Sequence, residues 1–524
     1  MLSIMSKVTK TRYLFYNVFT QDKETVTKTG EKKENEPDNL LEMKTSNIMG
    51  RYLVAKEDIK PGTIILRVPP LVLGPTCINN TPICLSCYAP INDLVSCERC
   101  NQCGWPICGS GCKAQYLEDG HSDAECNALR KSTRKPETSK DYHLYNIILP
   151  LRVALLKLSN PCKWAEIQKM QSHTKFRKKN KELWNNNQKM IDCMKMDCGI
   201  TEFSDQEMHS ICGYLQTTIS ISVNSFSIEN LALSGLYGKA FLLAHDCVPN
   251  TAHVFDSKFW MIIHATTLIS KGDAVTLSYA NTLQGTMARR AYLKETKYFN
   301  CSCKRCSDIT ELGTFLSGVK CYSCNAGYLL PVDPLDMKSV WRCSCESEKK
   351  AEYIFSLVER IFTEAESIKN KGIDEMEAFI LKYSSTLHPN HYILFSIKCL
   401  LSQLYGKFNN YLIQDLSQDM LNRKAELCKY LLDIFDIIEP GLSRIRGITM
   451  YEFHAPLMII ASQKYQNKNE KVLKQQLRQV KHLLTEANLI LSFENPLTKE
   501  GQIGTAAKQA LEETKHWERH IGRL

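Results

Sequence analysis

Cys84-Leu85-Ser86-Cys87 opens a run that continues with Cys97-Glu98-Arg99-Cys100-Asn101-Gln102-Cys103, Cys108-Gly109-Ser110-Gly111-Cys112 and His121-Ser122-Asp123-Ala124-Glu125-Cys126. Cysteines with two residues between them can turn both sulfurs inward at a tight loop, which suits one half of a zinc site. Zinc favours thiolate and imidazole ligands in tetrahedral sets of about four. Seven of the eight cysteines and the one histidine make two complete sets. The middle of the run admits two assignments, with either Cys97 and Cys100 or Cys100 and Cys103 as the ligand pair. Cys100 and Cys103 are preferred, because they lie nearer to Cys108 and lead into Gly104-Trp105-Pro106. A segment this short cannot bury enough apolar surface to fold without metal.

The rest of the chain supports the metal reading. It has 524 residues, 44% hydrophobic and 23% charged, which excludes wholesale disorder and predicts three or four compact units. A net charge of +10 over this length permits acidic partners but is weak evidence for nucleic acid. The 23 cysteines are the unusual number. The apolar run Tyr13–Phe19 is too short for an export signal and is followed by charges. No window reaches ~18 unbroken apolar residues, so no membrane span is expected. In an intracellular protein the thiols stay reduced, and clustered cysteines are then better read as ligands than as disulfides.

Outward from the run, residues 1–42 are rich in Lys, Glu, Thr and Asn and read as a flexible leader. Arg51–Ala55 and Thr63–Val68 read as short strands around a Lys60-Pro61-Gly62 turn. The pattern is helical from Tyr142 to about Tyr214. Within it, Lys175, Arg177, Lys178, Lys179 and Lys181 read as a solvated helix face. Residues 215–280 return to β-like runs such as Trp260–Ile263 and Ala274–Leu277. From Ala351 onward helices dominate, with Val472, Leu473, Leu477, Val480, Leu483, Leu484 and Ala487 on one apolar face. A second cysteine series, at 301–345, divides in two. Cys301-x-Cys303-x2-Cys306 offers three ligands. Cys321-x2-Cys324 with Cys343-x-Cys345 reads like a small zinc ribbon, a candidate fourth site.

The first run resembles a MYND zinc finger. Its position after the Gly50-Arg51-x-Leu53-x-Ala55 strand resembles the SET-and-MYND (SMYD) methyltransferases, and the Gly-Trp-Pro-x-Cys segment resembles their arthropod SmydA branch. Further matches follow in order: Asn224-Ser225-Phe226-Ser227-Ile228, Leu236-Tyr237-Gly238, Ala244-His245-Asp246-Cys247-Val248-Pro249-Asn250, Thr276–Tyr279, Arg289-Arg290 and Tyr298–Cys306. The implied architecture is α+β. A leader (1–42) precedes the SET N-terminal part (45–82), the MYND finger (84–126), a helical insertion (127–214) and the SET core (215–285). The post-SET segment with its ribbon (286–350) and an all-α C-terminal domain (351–524) complete it.

The resemblance implies ligand sets. Cys84, Cys87, Cys108 and Cys112 would hold one zinc, and Cys100, Cys103, His121 and Cys126 a second. Cys247 would join Cys301, Cys303 and Cys306 at a third. It also implies S-adenosylmethionine as methyl donor, a channel hydroxyl from Tyr279 and a channel wall from Phe226. Cofactor contacts fall on Gly50, Arg51, Tyr52, His173 (in Gln171-Ser172-His173), Asn224, Ala244, His245, Tyr279 and Phe299. The sequence departs from the family pattern at Tyr52, where a second glycine is usual, and at Ala244, where an asparagine is. Loss of one partner of a buried hydrogen bond costs roughly 1–3 kcal/mol. At about 1.4 kcal/mol per decade that weakens cofactor binding about tenfold to a hundredfold.

The expected function is therefore lysine N-methylation of histone or other protein substrates, with a role in transcriptional regulation, in nucleus or cytoplasm, by a monomer. The alternative is a catalytically weak or inactive zinc scaffold that binds partner peptides through the finger and the helical tail, proline-rich ones among them. Nucleic acid is the weaker expectation, because DNA-reading fingers use paired histidines around a recognition helix. His388 and His391 lack a third ligand at useful spacing and read as helix-start and packing residues.

Overall fold

The computed structural model describes residues 40–75, 82–91, 93–109, 112, 120–138, 141–217, 233–324, 326–408, 411–466 and 470–521. Asn224 and Phe226 lie outside the described residues, as does nearly all of the leader. The first strand, Leu41–Ser46, begins inside the 1–42 segment assigned to the leader and ahead of residue 45. It pairs antiparallel with Gly50–Ala55, from Leu41 opposite Ala55 to Ser46 opposite Gly50. Its inner residues are all exposed, so it lacks the alternation that marks a half-buried strand.

The two strands flanking Lys60-Pro61-Gly62 do not pair with each other. Ile64–Val68 pairs with Met261–Ala265, which pairs in turn with Thr251–Phe255. Pro70–Pro75 pairs with Leu233–Tyr237, and the two-residue strands Ala244–His245 and Thr276–Leu277 run parallel. One apolar core joins these sheets to the finger and the helical insertion. It includes Ile65, Leu73 and Ile263 from strands, Tyr88 and Trp105 from the finger, and Ile148, Leu151 and Ile191 from helices. The finger is thus packed into the strand body, and its last ligand, Cys126, lies within the helix Asp123–Lys131.

The insertion is helical at Ile148–Ser159, Pro161–Gln168, Lys181–Cys198 and Asp205–Thr217. The basic run is not a uniform solvated face. Lys175, Lys178, Lys179 and Lys181 are exposed, but Arg177 is fully buried and donates to the His209 carbonyl at 2.6 Å and to Gln216 at 3.0 Å.

Residues 319–349 form a four-stranded antiparallel sheet whose Trp341 and Leu329 share a core with the helices Ala351–Ile368 and Tyr392–Leu404. The ribbon therefore belongs as much to the helical region as to the segment before it. Long helices follow at Gln418–Ile438, Arg444–Gln466, Glu470–Leu491 and Lys499–Ile521. Leu477, Val480, Leu483, Leu484 and Ala487 are buried on one face, the apolar stripe read in the sequence. His391 caps Tyr392–Leu404 by accepting the Ile393 N–H, and His388 stacks on Phe315.

The helical region meets the strand body at Pro440–Arg444. Leu442 N–H donates to the Thr266 carbonyl at 2.9 Å, and Arg444 reaches the His253 carbonyl at 3.1 Å. Gly441 sits at φ +73°, and a Cβ there would lie 1.9 Å from the Thr266 oxygen. Only glycine allows this approach. Beside it, His264 stacks on Phe493 with ring centres 4.1 Å apart. Among the described residues no helix is long and apolar enough to cross a membrane.

Candidate functional site

Among the described residues four groups of ligand-type side chains come together: Cys84/Cys87/Cys108/Cys112, Cys100/Cys103/His121/Cys126, Cys247/Cys301/Cys303/Cys306 and Cys321/Cys324/Cys343/Cys345. Within each, the donor atoms lie within 4.8 Å of one another. Cys103, not Cys97, joins the second group; the Cys97 thiol faces the Leu94 carbonyl at 3.4 Å.

The spacings test whether zinc fits. A tetrahedron with Zn–S of about 2.3 Å has edges of about 3.8 Å. The sulfur pairs are 3.6 Å apart for Cys84 and Cys112, 3.7 Å for Cys100 and Cys126, 3.5 Å for Cys247 and Cys306, and 3.8 Å for Cys324 and Cys343. These match a metal-centred tetrad and far exceed the ~2.05 Å of a disulfide. The donor sets fit zinc. Three are all-thiolate, and the fourth has three thiolates and an imidazole.

The histidine set is tied to the strand body by groups that the sequence did not single out. Ser122 caps the helix Asp123–Lys131 by accepting the Glu125 N–H, which aims Glu125 back over His121. His121 Nδ1 lies 2.7 Å from Glu125 Oε1, leaving Nε2 3.3 Å from the Cys103 sulfur. Arg152, from the helix Ile148–Ser159, grips both oxygens of Glu125. It also donates to the Leu73 carbonyl at 2.9 Å, the Leu85 carbonyl at 2.8 Å and the Tyr88 hydroxyl at 2.5 Å. Burial would raise the Glu125 pKa, but Arg152 and then His121 hold it below the ordinary value. Burial would lower the His121 pKa, but Cys103 and Glu125 raise it to about 11. With Nδ1 held by Glu125, Nε2 is the ring atom that faces the other ligand-type side chains, the arrangement a metal-bound imidazole takes.

The all-thiolate set at Cys247 adjoins the tyrosine singled out in the sequence. His245 Nδ1 accepts the Tyr279 N–H at 2.9 Å, and its Nε2 lies 3.3 Å from the Cys247 sulfur. Both ring nitrogens are thus spent on the protein. What His245 leaves for a ligand is its ring edge and backbone. The Tyr279 hydroxyl donates to the Leu243 carbonyl, and burial raises its pKa, so it stays protonated.

Two aromatic groups flank this point. Phe299 lies 5.7 Å from the His245 ring and 6.4 Å from the Tyr279 ring. Tyr298 turns the other way, 5.4 Å from His173 and 6.0 Å from Phe176. The adjacent rings diverge because Tyr298 takes φ +61°, a strained conformation for a bulky residue and one that persists where the surroundings enforce it. His173 is itself left-handed at φ +48°, and burial, then Lys297 and Arg177, lower its pKa. Half-buried aromatic faces of this kind suit a purine base.

The remaining residues predicted at the cofactor site are placed as follows. Gly50 has φ +66° with open space where a Cβ would stand. Arg51 lies over the Phe241 ring and donates to the Lys169 carbonyl, while Tyr52 is half-buried in the same strand. Ala244 is buried, 8% exposed, and brings only a methyl group. The structure thus fits an adenosyl group by its aromatic faces and offers no side-chain amide at 244.

A family model described as the SET domain matches residues 50–280. SET domain-containing protein SmydA-8, isoform B, of Drosophila melanogaster is 30% identical over 309 residues, covering 58% of this chain and 66% of the fly protein. The chain thus spans just under two thirds of that relative. Histone-lysine N-methyltransferase ASHR1 of Arabidopsis thaliana is 24% identical over 77% of this chain and 83% of its own length. Human histone-lysine N-methyltransferase SMYD3 is 22% identical over 51% and 62%, respectively.

Proposed function

The chain belongs to the SET-and-MYND (SMYD) family, with arthropod SmydA relatives, and from that premise we propose that it is a protein-lysine N-methyltransferase using S-adenosylmethionine. The observation that carries this reading is the Tyr279 hydroxyl, held against the Leu243 carbonyl over the ring of His245. When bound, the cofactor supplies a methyl group on a sulfonium, which is most reactive where amine, carbon and sulfur are aligned and water is excluded.

The chain's own part is positioning. The Tyr279 and Leu243 oxygens form a fixed polar rim at a desolvated point. His245 braces the Tyr279 backbone from one side. Phe299 closes the other side with an apolar face. By resemblance, Phe226 lines the lysine channel and Asn224 joins Gly50, Arg51, Tyr52, His173, Ala244 and His245 around the cofactor. A channel of this kind favours the uncharged amine, the nucleophilic form of lysine, because burial penalises the ammonium.

Substrates are proteins, histone or non-histone, and transcriptional regulation is the proposed setting, in nucleus or cytoplasm. The finger is assigned to proline-rich peptide partners, and the chain to a monomer. One observation favours a second reading, that of a weak or inactive scaffold: the buried methyl of Ala244 where the family pattern has an amide.

Calorimetric titration of the purified chain with S-adenosylmethionine separates the two readings. Saturable binding is expected, and Ala244→Asn is expected to tighten it about tenfold to a hundredfold. No heat at millimolar cofactor would overturn the enzyme reading.

A further inference from the structure

Behind Tyr279 lies a buried charge cluster that does not balance. The Arg289 and Arg305 side chains are fully buried, and that of Glu311 is 2% exposed. Arg289 Nη1 and Arg305 Nη2 approach the same oxygen, Glu311 Oε2, at 2.8 and 3.2 Å. The other oxygen is already taken by the Thr286 N–H at 3.1 Å and the Ser317 hydroxyl at 2.5 Å. Glu311 is held in place at φ +54°, a strained backbone for a residue with a side chain. Its pKa, which burial would raise, falls to about 2 under Arg289 and Arg305. Arg290, also buried, donates to backbone carbonyls of Cys301, Pro334 and Leu335. Two guanidiniums therefore share the Glu311 carboxylate, while burial pushes Glu439, the other carboxylate that interacts with Arg305, toward its neutral form, and buried charges of this kind need compensation.

Each of the three arginines touches a residue of the same thiolate set. Arg289 Nη2 lies 3.6 Å from the Cys306 sulfur, Arg290 Nε lies 2.9 Å from the Cys301 carbonyl, and Arg305 Nη1 lies 3.3 Å from the Cys247 carbonyl. Four thiolates on Zn²⁺ carry a net charge of about −2. We infer that the zinc tetrathiolate of Cys247, Cys301, Cys303 and Cys306 is the missing counter-ion of this cluster, and that Arg289 and Arg305 transmit its charge to the segment after Tyr279. Arg305 donates to the Thr282 carbonyl at 2.6 Å and to the Gln284 carbonyl at 3.2 Å, and Arg289 also reaches Gln284. Thr282 in turn donates its hydroxyl to Glu439, at the end of the helix Gln418–Ile438. The metal thereby fixes the chain that leaves the tyrosine, and Arg289 and Arg305 are positioning residues. This inference stands on the cluster alone and survives if no methyl transfer is found.

The test uses the full chain and zinc release to a chromophoric chelator. Arg289→Met is expected to release one zinc equivalent about tenfold to a hundredfold faster, with the others unchanged. Arg289→Lys, which keeps the charge, is expected to restore most of the retention. Glu311→Gln, which leaves the arginines more dependent on the metal, is expected to slow release of that same equivalent while lowering thermal stability. In cobalt-substituted protein, Arg289→Met shifts the thiolate-to-metal absorption and Arg289→Lys does not. If Arg289→Met does not fold, the opposite-signed Glu311→Gln result decides. Unchanged release in both folded variants, equal effects of Met and Lys at 289, or faster release in Glu311→Gln would overturn the inference.

Discussion

The finger and the post-SET segment each tie a ligand set to the strand body through buried ionic groups, but they meet the metal site with opposite polarity. In the finger a carboxylate, Glu125, touches the ligand histidine, and one arginine backs it. In the post-SET segment an arginine, Arg289, touches a ligand sulfur, and one carboxylate is shared behind it. The ligands explain the difference. Three thiolates and a neutral imidazole on Zn²⁺ leave about −1, and the imidazole N–H needs an acceptor. Four thiolates leave about −2 and offer only acceptors, so they recruit cations.

The largest expected effect breaks the finger side. Arg152→Met strands Glu125 in the core and should cost about 3–5 kcal/mol, read by denaturant unfolding. Glu125→Gln should cost less, and the double variant should recover part of the loss. A double variant as unstable as the sum of the two singles would show that the groups do not act together.

Sequential chelation gives the next effect and orders the sites by exposure. The ribbon, with Cys324 and Cys345 exposed, should lose its metal first. The set of Cys247, Cys301 and Cys306, all buried, should lose it last. Mass spectrometry under native conditions would follow this order; loss from the buried set first would contradict it.

A sharper contrast concerns chemistry. Tyr279→Phe removes the hydroxyl beside Leu243 and should lower methyl transfer at least about a hundredfold with cofactor affinity nearly unchanged, a change in the chemical step of about 2.7 kcal/mol. Equal turnover by the variant would remove Tyr279 from the site.

The smallest effect lies at the third junction, between strands and helices, where none of the ligand groups found among the described residues lies. Burial lowers His264 to a pKa of about 4 from an ordinary 6.5. The stability it reflects is complete above pH 6.5 and is lost as pH falls toward about 4, because the unfolded chain takes up the proton first. His264→Gln should flatten the thermal-melting profile in that window; an unchanged slope would assign the pH dependence elsewhere.

The cysteine clusters were legible because thiolate chemistry imposes spacing, but their division into sets and the place of Cys247 came from the family resemblance. CxxC and CxCxxC leave a pattern in the chain. Their supporting charges were not legible. Glu125 sits four residues after His121, a helical spacing that could have flagged it, but Arg152 and Glu311 come from distant segments and form no motif. The first strand escaped because it is solvated on both faces. Arg177 looked like one of five surface cations because composition does not say which side chain turns inward. Phe299 was expected at the cofactor, but its divergence from Tyr298 rests on a left-handed tyrosine that no propensity would favour.

Metal analysis of natively purified protein tests the central claim most directly. Four groups of ligands with tetrahedral spacing among the described residues predict about four zinc equivalents per chain, falling by one on Cys303→Ser. Fewer than three equivalents would contradict the account, since neither the finger nor the segment behind Tyr279 would then have the charge that holds it in place.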